Sequence, residues 1–244
     1  MKHLLKWELK ETFSQKSFWG IGAALVACSL LLSLMPLGES ENTGLDCFLQ
    51  VMNNFNALLI FFVGIHAGIH VTNAFEERRI QAAVMAGYSR EGIMLAKLLS
   101  FSLTIALYCL CTLVPGAMLA FGVKGMGTLG GSFVREVVLR TAVYTLVEVS
   151  FAGLCFLVAA AVKTLGAAIA VGLVAALGLN TLAQELMEHP WAEGLMRCTS
   201  VGQTFLLIAD ASTTNLWYAL AASLLGLGLV LAAACAMLRR AELK

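Results

Sequence analysis

The sequence predicts an all-α membrane protein that crosses the bilayer six times, and three observations carry that prediction. Of 244 residues, 59% are hydrophobic and only 13% charged, with a mean hydropathy of +0.85; a soluble domain carries about 25% charged residues. Apolar runs long enough to cross as helices recur six times, at about 18–37, 55–75, 98–122, 137–162, 164–184 and 216–238. Positive charge is divided unevenly between the connections. Lys2, Lys6, Lys10, Lys16, Arg78, Arg79, Arg90, Lys97, Lys163, Arg239, Arg240 and Lys244 fall on one side of such a topology, and only Lys124, Arg135, Arg140 and Arg197 on the other. The positive-inside rule then puts both termini in the cytoplasm of a multi-pass protein of the cell membrane. Residues 1–244 read as one transmembrane domain. A net charge of +1 argues for no nucleic-acid partner.

Residues 1–17 combine four lysines with Trp7, and Leu5, Leu9 and Phe13 make one stripe. Such a segment suits a helix lying in the membrane interface with its lysines snorkelling to water; the plainer reading is a basic lead-in to the first run. That run is too long for a signal-peptide core and lacks a small-residue exit, so it is retained. An outer loop with Glu39, Glu41 and Asp46 follows. The second run is the most polar, with Asn53, Asn54, Asn56, His66, His70 and Asn73, the last three on one helical face. The third contains Pro115, tolerated in a membrane helix whose neighbours satisfy the freed carbonyl, and ends in a glycine-rich turn at 122–131. GVKGMG there is not a phosphate loop, and no G-x-x-x-x-G-K-[ST] string occurs in the chain.

The fourth run holds Arg140, Tyr144 and Glu148 at i, i+4 and i+8. A charge at mid-membrane costs about 2.5–3.5 kcal/mol on insertion scales, so Glu148 needs a partner or a proton. His66 or His70 is the partner expected, while Arg140 is expected to snorkel outward. In the fifth run Ala168, Gly172 and Ala176 recur every four residues, which lets helices approach closely. Between Asn180 and Asn215 two amphiphilic stretches flank His189-Pro190, a pattern for two short re-entrant or interfacial helices around the proline; a surface loop is the alternative. Trp217-Tyr218 opens the sixth run at the interface. Five cysteines sit in apolar runs as small hydrophobes; Cys47 and Cys198 fall in outer segments, as free thiols or as a pair.

The interval from Phe75 to Lys97 differs from every other connection. Ile80, Val84 and Tyr88 make one apolar face on a short helix, Gly87 is placed to end it, and Ser89 to cap the next. An acidic pair closing a span, then a short helix, then Gly-x-Ser-Arg and a lysine at the next span (Glu76, Glu77, Gly87, Ser89, Arg90 and Lys97) resembles the first cytoplasmic loop of ABC-2 type transporter permeases. Arg79-Ile80-Gln81 stands where many members have a Gly-Thr pair. The layout of the whole chain, down to the basic tail LRRAELK, is similar to that family as well.

The resemblance implies a permease subunit of an ABC exporter of peptides, antimicrobials or other amphiphiles. It implies an N-terminal elbow helix at 1–17 and a cytoplasmic coupling helix spanning Glu76, Glu77, Arg78, Arg79, Ile80, Val84, Gly87, Tyr88, Ser89 and Arg90. The arginines would meet a separate ABC ATPase electrostatically, with Ile80, Val84 and Tyr88 as apolar anchor. The permease would pair with a second copy or a homologous permease in membrane lipid. It would bind no cofactor itself, ATP and Mg residing on the ATPase, and it would not be an enzyme. His66, His70, Asn73, Arg140, Tyr144 and Glu148 then face the pathway or a subunit interface, or form a buried hydrogen bond between helices. The His66/His70 spacing suits a metal, but no third ligand is evident, so no metal site is expected.

Two other readings use the same residues. An intramembrane protease would employ Glu76-Glu77 with the histidines, but Gln81 stands where such a motif has arginine, and the histidines precede the glutamates. A membrane scaffold or immunity protein differs in having no ATPase partner.

Overall fold

The computed structural model describes residues 2–38, 43–76, 79–125, 134–162, 164–209 and 212–240; within these, the side chains of 2, 57, 73–76, 79, 134–136 and 238–240 are outside the description. The described residues are helical throughout, without a strand: α1 (Lys2–Ser14), α2 (Lys16–Leu37), α3 (Gly44–Glu76), α4 (Arg79–Met85), α5 (Arg90–Lys124), a π-helical turn (Val134–Leu139) running into α6 (Arg140–Ala160), α7 (Leu165–Met187), α8 (Glu193–Arg197), α9 (Ser200–Ala209) and α10 (Thr213–Arg240). Six of them, α2, α3, α5, α6, α7 and α10, are long and apolar enough to cross a membrane, so the chain is a multi-pass helical membrane protein.

α3 is the hub, with α2, α5, α6, α7 and α9 packed around it. Its closest neighbour is α7, and glycine makes the approach possible. A Cβ on Gly64 would come 2.8 Å from the Cα of Leu173, and one on Gly172 would come 2.7 Å from the Gly64 carbonyl. Ala168, Gly172 and Ala176 are the buried face of α7, as the four-residue spacing predicts. Side-chain hydroxyls join α2 to α5: Ser29 donates to the Thr112 carbonyl (2.9 Å), and Tyr108 to that of Phe18 (3.0 Å). Both hydroxyls are buried between the two helices they join.

What faces outward is apolar: Leu31 and Leu34 on α2, Val174 on α7, Leu225 and Leu229 on α10. Exposed tryptophans mark both ends of the bundle, Trp7 and Trp19 at one, Trp191 and Trp217 at the other, where amphipathic rings meet headgroups.

Several boundaries differ from those the sequence predicts. α3 begins at Gly44 rather than about 55, and α5 at Arg90 rather than about 98. At 35 residues, α5 is about 52 Å long, against a hydrocarbon core of about 30 Å. It is therefore longer than the hydrocarbon core it would cross. The proline at 190 does not separate two short helices: Leu182–Met187 belongs to α7, and both short helices, α8 and α9, follow it. The chain leaves helical conformation before His189-Pro190 because the residue before proline disfavours it.

Candidate functional site

At the end of the bundle that carries α1, three segments meet outside the main core. Leu4 of α1, Ile80 and Ala83 of α4, and Ile93 and Ala96 of α5 form a small apolar cluster, with Val84 packed against it. α4 ends as its sequence requires. Gly87 takes φ +87°, Gly87 N–H donates to the Val84 carbonyl (3.0 Å) and Tyr88 N–H to that of Ala83 (3.2 Å), a paired closure that needs a left-handed residue at 87. Ser89 then caps α5, its hydroxyl accepting from the Gly92 N–H at 3.1 Å.

The predicted apolar stripe on this helix divides in two. Ile80 is 2% exposed and sits in the chain's own cluster with Val84 against it, whereas Tyr88 is 38% exposed; Met85, off the stripe, is 83% exposed. α4 lies down on α1 and α5, and that contact consumes its inner residues. Arg90 starts α5. Of the other expected coupling residues, Glu77 and Arg78 lie outside the described residues, as do the side chains of Glu76 and Arg79. A shallow cavity of about 210 Å³ opens between His3, Leu4 and Trp7 of α1 and Ala82, Ala83 and Tyr88.

The inner face of α1 is shifted by one residue from the expected stripe. Leu4, Glu8 and Thr12 are buried, while Leu5, Leu9 and Phe13 are half-buried. The cause is Lys97, expected at the end of a loop but enclosed within α5. Its Nζ donates to Glu8 Oε2 at 3.0 Å. Sequence periodicity missed Glu8 because a carboxylate on a buried face becomes legible only with its cation in view.

His66, His70, Arg140, Tyr144 and Glu148 are buried within the chain. His66 stacks on Phe101 (centroids 5.7 Å, 11°) and meets the Tyr108 ring edge-on. Among the described residues neither ring nitrogen of His66 has a hydrogen-bond partner. His70 Nε2 is 3.1 Å from Ser100 Oγ and 3.3 Å from the Lys97 carbonyl, which ties α3 to α5. Glu148 and Tyr144 are fully enclosed, close to each other and, in the case of Glu148, to Cys109 and Cys155. Among the described residues neither oxygen of Glu148 makes a hydrogen bond of ordinary geometry, and the expected partnership with His66 or His70 is not formed. Arg140 is buried at the join between the π-helical turn and α6, and so does not snorkel outward. These side chains point inward because α3 and α6 are the helices most enclosed by others. The side chain of Asn73 is outside the described residues. Among the described residues no three His, Cys, Asp or Glu gather as a metal would require. Cys198 is exposed and free, and the Cys47 thiol points to the Pro36 carbonyl, 3.4 Å away.

At the opposite end, sequence reasoning missed two polar groupings. Gln203 of α9 donates to the Arg197 carbonyl (2.7 Å) and lies 3.4 Å from Asn215 Oδ1, while Asn215 donates to the Leu206 carbonyl (3.2 Å); together they lock α8, α9 and α10. A cavity of about 650 Å³ opens between α2, α3, α7 and α9, where Asn53, Asn54 and Asn56 meet Asn180 and Gln184. The three asparagines of α3 are visible in sequence, but their meeting with α7 depends on the glycine crossing. Compared with protein-family models and with curated proteins, the chain matches none.

Proposed function

We propose that the chain is the permease subunit of an ABC-2 type exporter, working as a dimer with itself or a homologous permease and driven by a separate ATPase. The observation that carries the reading is the seating of α4: a short helix beyond the ends of two spans, fastened through Ile80 and Ala83 to α1 and to the 35-residue α5. A push on Met85 or Tyr88 would be passed to a membrane-crossing lever with little slack, since a packed apolar cluster resists compression. In this reading α1 is the elbow helix, α4 the coupling helix, and α8 with α9 the re-entrant segment before the last span. The termini and α4 are cytoplasmic, and the protein resides in the plasma or inner membrane. ATP and Mg are bound by the ATPase, and the cargo is a peptide, antimicrobial or other amphiphile.

Support comes also from the resemblance of the Glu76–Lys97 interval and of the whole-chain layout to the family. The test is purification of the tagged chain from its native membrane. It should bring with it an ATP-binding-cassette ATPase lacking spans of its own, and the reconstituted pair should export cargo with ATP. Recovery of the chain in functional form with no such ATPase would refute the proposal.

A further inference from the structure

We propose that the cleft between α2 and α5 holds one acyl chain of an anionic phospholipid whose phosphate sits beside Lys16. The claim needs the chain to lie in a membrane but does not depend on the exporter reading. The cleft has a volume of about 640 Å³. Trp19, Ala23, Ala27 and Leu30 of α2 form one wall, and Leu107 of α5 lies in the other. Phe13 of α1 stands at the Trp19 end, where its carbonyl accepts from Trp19 Nε1 at 2.9 Å and holds the indole in place. No described lining residue is charged. The Tyr108 hydroxyl in the cleft is also engaged, donating to the Phe18 carbonyl at 3.0 Å. With its ring donors already satisfied, the interior suits hydrocarbon and offers little to a peptide group or a headgroup.

Lys16 supplies the polar end. Lys16, Trp19, Ala23, Ala27 and Leu30 recur at i, i+3, i+7, i+11 and i+14, which is one face of α2. Lys16 therefore stands one turn before Trp19 on the cleft's own face, at the end of the bundle where the exposed Trp7 and Trp19 mark the headgroup level. It is exposed, and among the described residues no carboxylate pairs with it. Lys6 and Lys10, exposed on α1, add positive charge at the same end, which favours a lipid of net negative charge. Depth distinguishes a lipid from a second copy of the chain. From Trp19 to Leu30 α2 rises about 16 Å, roughly half of the about 30 Å hydrocarbon core. Beyond Leu30 the same face carries Leu34, 59% exposed and outside the cleft. An acyl chain ends at mid-bilayer and matches that depth, whereas a membrane-crossing helix would have to pack through both leaflets.

The experiment titrates the full chain, delipidated in detergent, with phosphatidylglycerol and with phosphatidylcholine of the same acyl chains, and counts bound lipids by native mass spectrometry. The first phosphatidylglycerol should bind about fivefold more tightly than phosphatidylcholine, the preference expected from one lysine beside an anionic lipid. Lys16→Gln should remove that preference, and Lys16→Arg should keep it. Ala27→Phe, which fills the cleft from an exposed position, should weaken both lipids by about tenfold or more. Leu225→Ala, on the outward face of α10, should bind as wild type. Glycerol phosphate, a headgroup without chains, should not compete. Equal affinity of the wild type for the two lipids, or unchanged phosphatidylglycerol affinity in both Lys16→Gln and Ala27→Phe, overturns the proposal. So does competition by glycerol phosphate at the lipid's own concentration, since the acyl chain then contributes nothing. A wild type that binds neither lipid while Ala27→Phe turns a dimer into a monomer overturns it too, because the cleft then belongs to a second copy. The assay needs no ATPase, so its failure and the failure of the exporter reading are separately visible.

Discussion

Lys97 and Glu8 lie 89 residues apart in sequence, on α5 and α1, and form an ion pair at 3.0 Å with both side chains enclosed. The pair joins the N-terminal helix to the long helix that follows α4. Among the described residues Glu8 Oε1 has no hydrogen-bond partner of its own, so Lys97 is what makes burial of this carboxylate tolerable.

Removing one partner should therefore cost more than removing both. Lys97→Met leaves a buried carboxylate and is expected to destabilise the protein by about 3–5 kcal/mol, whereas Glu8→Leu with Lys97→Met should recover most of that loss. Thermal unfolding in detergent would check it. Equal stability of the single and double variants would show that the pair is incidental to the seating of α1.

The α3–α7 crossing makes a sharper demand. A methyl at Gly64 meets backbone atoms of α7, while a Cβ at Gly178 meets nothing within 4 Å. Gly64→Ala should cost about 1–3 kcal/mol, the usual range for overpacking, and Gly178→Ala should be neutral or slightly stabilising. Unfolding midpoints of the two variants decide the matter.

At Gly87 the constraint is conformational, with no atom within 4 Å of an added Cβ but φ at +87°. Gly87→Ala should lose about 1–2 kcal/mol, visible as faster amide exchange across Arg79–Met85, and Gly87→Asn should lose less.

The buried and the exposed apolar residues at α4 and the turn after it should separate on mutation. Ile80→Asp puts a charge into the α1–α4–α5 cluster and should destabilise the fold. Met85→Asp and Tyr88→Asp alter exposed side chains, and should leave stability within about 0.5 kcal/mol while abolishing co-purification with the ATPase. Normal ATPase recovery by both surface variants would contradict the coupling role.

How much of this the sequence displays depends on how local the cause is. Gly87, Ser89 and the Ala168–Gly172–Ala176 row are legible because each acts through its own backbone or its own helix face. The six spans are legible because lipid demands long apolar runs. Glu8, Gln203 and Asn215 escape notice because their partners come from other helices. Ile80 misleads for the same reason: an apolar residue on a short polar helix reads as a surface anchor until α1 is seen lying on it. Arg140 and Glu148 advertise their expense in the sequence, but not that they are enclosed within one chain.

The central claim is that α4 faces the cytoplasm, where an ATPase can grip it. The direct measurement is labelling of intact cells with a membrane-impermeant maleimide, using Met85→Cys in a background that keeps Cys198, exposed at the opposite end of the bundle, as the sole native thiol. The account predicts that Cys198 labels in intact cells and that position 85 labels only after permeabilisation. Labelling of position 85 from outside, with Cys198 protected, would contradict it.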